Sequence, residues 1–309
     1  METFLHVYQR TSDKGVFLYR VQERIMLYTI FYTVSRSRKI SITALAFMFT
    51  HVHALIQNCS PSEGKSFMGK VMSTFTRELN QDSGRTGGMF GRASCSLKRN
   101  GKAIRSSVAY VYNNSVEKKL YSRAIEDRWD FLAYAMSDNP FSERIIIRKL
   151  SSRMRKSIRA VDDEYNRGSY LRLQRIRCIF KGLSGPEAQQ LIDYIIVKYK
   201  FIDYGLSVNY FKDFDSMVTA IESNTGSEYE IKEDFEIASD RPYVQMCAFA
   251  KRHGLLNKDM RIYKLTEDDK VELAQLMSVK ANASPHQIFK FIHTERKPQY
   301  PKNKQITRK

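Results

Sequence analysis

The chain has 309 residues, 42% of them hydrophobic and 12% aromatic, and carries a formal net charge of +18. That balance excludes a disordered composition, leaves material for about two domains, and favours a polyanionic partner, nucleic acid ahead of an anionic membrane surface, because the basic residues come in clusters. Cys59, Cys95, Cys178 and Cys247 share no C-x-x-C spacing, which argues against a zinc ribbon or a disulfide framework and fits a reducing cytosol.

Taken in chain order, residues 3–9 alternate and predict a first strand, preceded by no signal-peptide layout. Residues 20–36 predict an amphipathic helix with a wide apolar face. The uncharged run 40–58 is long enough to test as a membrane span, but its Ser, Thr, His and Gln side chains and its β-branched alternation predict two strands instead, 42–48 and 51–57, joined by a tight turn at Phe49-Thr50. A second helix is expected over 62–79, a Gly- and Arg-rich loop over 83–92, a fourth strand over 94–99 and a third helix over 102–116. The order β-α-β-β-α-β-α predicts an α+β fold, an antiparallel sheet with helices on one face.

Beyond residue 140 the pattern turns helical. Residues 142–181 gather Arg144, Arg148, Lys149, Arg153, Arg155, Lys156, Arg159, Arg172, Arg175, Arg177 and Lys181. A helix is expected over 186–199 with Pro186 in its first turn, an acidic connecting loop over 222–240, and a helix from Arg241 to near Gly254. Thr266 with Asp269, and Ser284 before Pro285, are helix starts. The two capped helices, linked by Ala281-Asn282-Ala283, read equally as a helix-turn-helix or as a packed αα-hairpin. The division expected is 1–140, 141–300 and a disordered tail at 301–309, within a basic stretch that begins at 295.

His51 and His53 stand one residue apart in a strand, so both imidazoles leave the same face. Two imidazoles on rigid backbone are most of a metal site; by themselves such a pair is more often a strand-surface coincidence than a site. On the third helix Tyr110 and Asn114 are four apart and share a face. A tyrosine is a poor nucleophile, but it can attack phosphorus if a divalent cation neutralises the phosphate. A mixed N/O ligand set suits Mg²⁺ or Mn²⁺. Without that context Tyr110 reads as a core tyrosine and Asn114 as a residue near a helix end.

Three segments together carry a resemblance. MFTHVHALIQ resembles the HUH motif of single-tyrosine transposases. TGGMFGRASCSLKR is similar to that family's Gly-Phe-Arg loop and strand, and AYVYNNSVEKKLYSRAIEDRWDFLAY to its tyrosine helix and Trp segment. The pattern resembles the REP-associated branch over roughly residues 3–135 and departs from it at Phe49-Thr50, where the family has Pro-Asn, and at Ser115, where it has Pro. The resemblance implies a ferredoxin-like HUH nuclease domain followed by an all-helical domain. It implies Tyr110 as nucleophile, His51, His53 and Asn114 as ligands of Mg²⁺ or Mn²⁺, and Arg85, Arg92, Lys98 and Arg99 as DNA contacts, with Trp129 as packing. The implied activity is a single-stranded DNA endonuclease and strand transferase acting on hairpin DNA through a 5′-phosphotyrosine, cytoplasmic and nucleoid-associated, without a membrane partner, as monomer or dimer. The rivals are a non-cleaving DNA-binding regulator and an RNA-binding protein; the 2′-OH separates the last two partners.

Overall fold

The computed structural model describes residues 4–223, 239–257 and 260–294. Most of the acidic 222–240 connector and all of the 295–309 tail lie outside the described residues. The first half follows the predicted order: β1 (Phe4–Arg10), α1 (Val21–Arg38), β2 (Ser41–Phe47), β3 (His51–Gln57), α2 (Pro61–Ser83), β4 (Ser94–Lys98) and α3 (Gly101–Glu117). Among the described residues the strands form one four-stranded sheet, ordered β2-β3-β1-β4 and antiparallel throughout. This α+β arrangement is consistent with a ferredoxin-like core.

The helices do not all lie on one face. Leu5, Val7, Leu45, Phe47, Val52, Ala54 and Ile56 pack with α1 and α2, whereas Phe4, Ala44, Ala46 and Leu55 pack with Ile104, Val108 and Val111 of α3. The period-2 alternation of strands allows both, since each face carries apolar residues that must be covered. Helix α2 comes close enough to the sheet that a Cβ on Gly64 would stand 3.2 Å from Leu5 and 3.3 Å from Ile56. Ser60 caps that helix, its hydroxyl accepting from the Glu63 amide while the Glu63 carboxylate takes the Ser60 amide, which satisfies two of the orphan donors of the first turn.

An all-helical region follows: α4 (Ser152–Asn166), α5 (Leu173–Phe180), α6 (Gly185–Lys198), α7 (Tyr204–Val208), α8 (Phe214–Glu222), α9 (Arg241–Arg252), α10 (Glu267–Lys280) and α11 (Pro285–Ile292). It packs onto the sheet layers at several places. Helix α1 is apolar nearly all round and buried because α5 and α6 cover the side away from the sheet. Its Tyr28 ring lies 4.7 Å from Phe131 and 4.9 Å from Phe201. Asp203 donates its amide to the Ile42 carbonyl at 2.8 Å, covering part of the β2 edge. The α9–α11 cluster buries Val16, Tyr19 and Phe49 from the first half of the chain, and Val16 donates its amide to the Lys290 carbonyl at 2.8 Å.

Much of the 142–181 charge is spent internally. Arg172 pairs with Glu78 at 2.9 Å, Arg175 with Glu164 at 3.2 Å, Arg177 with Asp82, and Arg153 donates to the Lys181 and Cys178 carbonyls. Arg144, Arg148, Lys149, Lys156 and Arg159 remain exposed. Among the described residues no helix is long and apolar enough to cross a membrane.

Candidate functional site

Register places the site. On β1, His6, Tyr8 and Arg10 share a face and stand opposite Leu55, His53 and His51 of β3. Paired residues of an antiparallel ladder point to the same side, so the imidazoles of three histidines and the Tyr8 ring gather on the face that α3 covers. The Tyr8 ring stacks on His53 with centroids 5.5 Å apart and planes 19° from parallel.

Helix α3 starts at Asn100, whose side chain accepts from the Ala103 amide at 2.8 Å. Tyr110, Asn114 and Lys118 follow one another at four-residue spacing along one stripe. The Tyr110 ring centroid is 5.4 Å from that of His53 and 5.7 Å from that of His6. The Asn114 amide donates to the Tyr110 carbonyl at 2.8 Å, and its side chain reaches the His51 imidazole. Tyr112 points away and is fully buried, its hydroxyl donating to the Thr43 carbonyl at 3.3 Å.

Both imidazoles are pinned by one ring nitrogen. His53 Nδ1 lies 3.0 Å from His6 Nε2, and His51 Nδ1 lies 2.9 Å from the Thr50 hydroxyl. His51 Nε2 is buried and, among the described residues, accepts or donates no hydrogen bond. Burial, reinforced by Arg10, Lys118 and Lys290, drives the His51 pKa down to about 3; burial, with His51 and His6 beside it, takes His53 well below its ordinary value. Both rings are therefore neutral at physiological pH, the form that binds metal. Among the described residues no group of three or more His, Cys, Asp or Glu side chains is placed to hold a metal ion. A cation here would take its third ligand from the Asn114 amide. The orphaned His51 Nε2 fits such an ion, and the N/O donor set suits Mg²⁺ or Mn²⁺.

The four expected DNA contacts separate. Arg92 is exposed, beside the Gly91 amide that donates to the Arg10 carbonyl at 3.1 Å, and so at the imidazole end of the sheet. Arg99 is exposed at the other end of β4, about 20 Å along the strand direction. Arg85 folds back on its own loop, donating to Asn80 at 3.0 Å and to the Gly88 carbonyl at 3.2 Å. Lys98 is 1% exposed: paired with Phe4 on β1, it faces α3 instead of solvent. Sequence reasoning missed His6, Tyr8 and Arg10, which the alternation of β1 could have supplied once β1 was placed beside β3. It also missed Lys118 and Lys290, and nothing local in the sequence brings Lys290 to this site. Trp129 is partly buried and packs edge-on to Phe131, as expected of a packing residue.

No family model matches the chain, and no curated protein matches it. Among solved structures it is similar to a REP-associated tyrosine transposase bound to a REP hairpin, at 18% identity, over 47% of this chain and 93% of that one, with a TM-score of 0.37. Similarity of that depth marks at most a distant structural relationship.

Proposed function

We propose that the chain is a metal-dependent single-stranded DNA endonuclease and strand transferase of the transposase type, acting on hairpin-containing DNA through a 5′-phosphotyrosine. The observation that carries this reading is the meeting of Tyr110 and Asn114 from α3 with His51 and His53 from β3, within the field of Arg10, Lys118 and Lys290. Elements distant in sequence converge there on a nucleophile, a neutral ligand set and cations that favour a phosphate.

In this reading the Tyr110 oxygen attacks phosphorus. The bond from phosphorus to the 3′ oxygen breaks, and that strand leaves with a free 3′-OH that takes up a proton in exchange for the one lost by the phenol. The 5′ side stays esterified to Tyr110, which conserves the bond energy for rejoining. His51, His53 and Asn114 would hold Mg²⁺ or Mn²⁺, which when bound supplies polarisation of the scissile phosphate. Arg10, Lys118 and Lys290 favour the phosphate charge, and Arg92 holds the backbone as it enters. Arg85 and Lys98 act indirectly, by fixing the Gly-rich loop and the end of β4.

One observation favours a second reading. His51 is 8% exposed, His53 0% and Tyr110 2%, so the site is enclosed, as suits a DNA-binding protein that no longer cleaves. A His51→Ala variant separates the two. Loss of metal-dependent nicking with retained DNA binding supports the enzyme; no nicking by the parent chain and unchanged binding by the variant support the binder.

A further inference from the structure

A cavity of about 460 Å³ lies between α2 and the Gly-rich loop. Gln9 of β1 stands in its wall, with Met72, Met89 and Phe90 as apolar sides and Arg77 at the rim. Gln9 and Arg10 are neighbours on one strand and so point to opposite faces, Gln9 toward α2 and Arg10 toward the histidines. Gly91 joins the two: its amide donates to the Arg10 carbonyl at 3.1 Å, and its carbonyl accepts from Gln9 Nε2 at 2.7 Å. The cavity and the histidine site therefore stand back to back at one end of β1, with the exposed Arg92 next in the chain.

The loop wall is held in place. Ser12 donates its amide to the Met89 carbonyl at 2.9 Å, and Asn80 of α2 donates to the Gly87 carbonyl at 2.8 Å. Gln9 is 6% exposed. Its nitrogen is committed to Gly91, which fixes the way the amide faces. Its Oε1 is buried and, among the described residues, accepts no hydrogen bond. A buried acceptor left unmet is costly and gains from an N–H brought to it. The cavity is also kept open by two glycines. Gly69, inside α2, and Gly88, in the loop, both line it, and a Cβ on either would meet nothing within 4 Å. Glycine inside a helix is destabilising relative to alanine, and at Gly69 packing does not demand it as it does at Gly64; the missing side chain preserves the opening.

These walls describe one ligand. Thioethers and a phenyl edge favour a flat aromatic ring. Gln9 Oε1 calls for an N–H donor on that ring. Arg77 touches the Tyr170 hydroxyl at 3.3 Å and Glu78 at 4.0 Å through Nη2 alone, which leaves the rest of its guanidinium for a phosphate at the rim. With a net charge of +18 drawing in a polyanion, a ring that carries N–H donors and is tied to a phosphate is a nucleotide's base.

We propose that this cavity holds one unstacked base of the single strand, chosen by its exocyclic amine, as the backbone passes Arg92. The inference rests on the reading above only in that single-stranded DNA is brought to this end of β1. The group that Gln9 leaves to a ligand is an acceptor, so the cavity adds a base preference that phosphate contacts do not supply.

The test uses the full chain, kept free of divalent metal, and three eight-nucleotide strands: oligodeoxyadenylate, oligodeoxynebularine (the same purine without its amine) and an abasic strand. Affinity is read from the anisotropy of a dye on the strand, and the cavity from the NMR signals of the Met72 and Met89 methyl groups. The expected result is that oligodeoxyadenylate binds tightest and shifts both methyl signals, and that the abasic strand shifts neither. Gly69→Leu, which fills the opening at a position where a side chain is accommodated, weakens oligodeoxyadenylate about tenfold, a typical cost of losing one seated base, and leaves the abasic strand unchanged. Gln9→Met removes the preference for adenine over nebularine. Equal affinity of the parent chain for these two strands overturns the proposal. So do unmoved Met72 and Met89 signals on a bound strand, full affinity for oligodeoxyadenylate in Gly69→Leu, or no binding of oligodeoxyadenylate at all. The two readings fail separately. A covalent adduct at Tyr110 with silent Met72 and Met89 removes only the base pocket, and a base-dependent shift that Gly69→Leu abolishes, with no adduct, removes only the nuclease.

Discussion

His6 on β1 and His53 on β3 share a proton across 3.0 Å. With that proton on His53 Nδ1, the opposite nitrogen of the His53 ring is the one that presents a lone pair to a cation, and the ring cannot turn without breaking the hydrogen bond. Partners of this kind orient a ligand and raise its basicity, and their removal typically costs about 10- to 100-fold in metal affinity. His6→Phe is therefore expected to weaken Mn²⁺ binding by about that factor, measured by calorimetry on the intact chain. Unchanged affinity would mean that His53 is not a ligand or that its orientation is set elsewhere.

The cations around His51 should govern the salt dependence of binding. Arg10, Lys118 and Lys290 all act on that imidazole, and Lys290 reaches it only because α11 packs against the β1–α1 segment. Removing a cation that neutralises one phosphate lowers the slope of log affinity against log salt by about one. Lys290→Ala is expected to do this for single-stranded DNA, across sequences alike. An unaltered slope would place Lys290 outside the DNA path.

Burial lifts the Asp127 carboxyl to about 6, against its hydrogen bond from the Trp129 amide and the nearby Arg24 charge. The folded state thus binds this proton more tightly than the unfolded chain, whose value is near 3.8. The group's contribution is full below about pH 4 and is lost as pH rises through about 6, a change on the order of 3 kcal/mol. Asp130, raised by burial and then by Asp127, has the same sign. Asp127→Asn should flatten the fall in stability between pH 4 and pH 7, read by urea denaturation. A variant as pH-sensitive as the parent would contradict this.

A clip joins the turn after β1 to the end of α11. Asp13 Oδ2 lies 2.5 Å from His293 Nδ1, and His293 Nε2 lies 2.9 Å from the Tyr19 hydroxyl. Burial would raise the Asp13 carboxyl, but His293 and the Gly15 amide outweigh it and hold it below the usual range. A Cβ at Gly15 would stand 2.6 Å from the His293 ring. Gly15→Ala should therefore displace His293, and His293→Ala should cost about 1 kcal/mol, the scale of a partly exposed charged hydrogen bond. Thermal melts of both variants check this; a melt at the parent temperature for either would remove the clip.

Strand β3 could be read from the sequence at both ends, because its alternation and its two histidines are local. The caps at Thr266 and Ser284 could be read for the same reason: a side chain meets an amide three residues away. The covering of α1 on both sides could not, since an apolar helix does not announce which of its neighbours is α5 or α6. The placement of α3 on the face opposite α1 and α2 is likewise set by which apolar positions find partners. That one misplacement also hid the burial of Lys98, which stands on the covered face.

The most direct test of the central reading is a covalent-adduct assay. The chain is incubated with labelled single-stranded hairpin DNAs, with Mg²⁺ or Mn²⁺ and with chelator, beside Tyr110→Phe, and run on a denaturing gel. The account predicts a protein–DNA adduct that needs the metal and disappears in Tyr110→Phe. An adduct that survives the substitution, or hairpins that bind and are never joined to the protein with either metal, would contradict it.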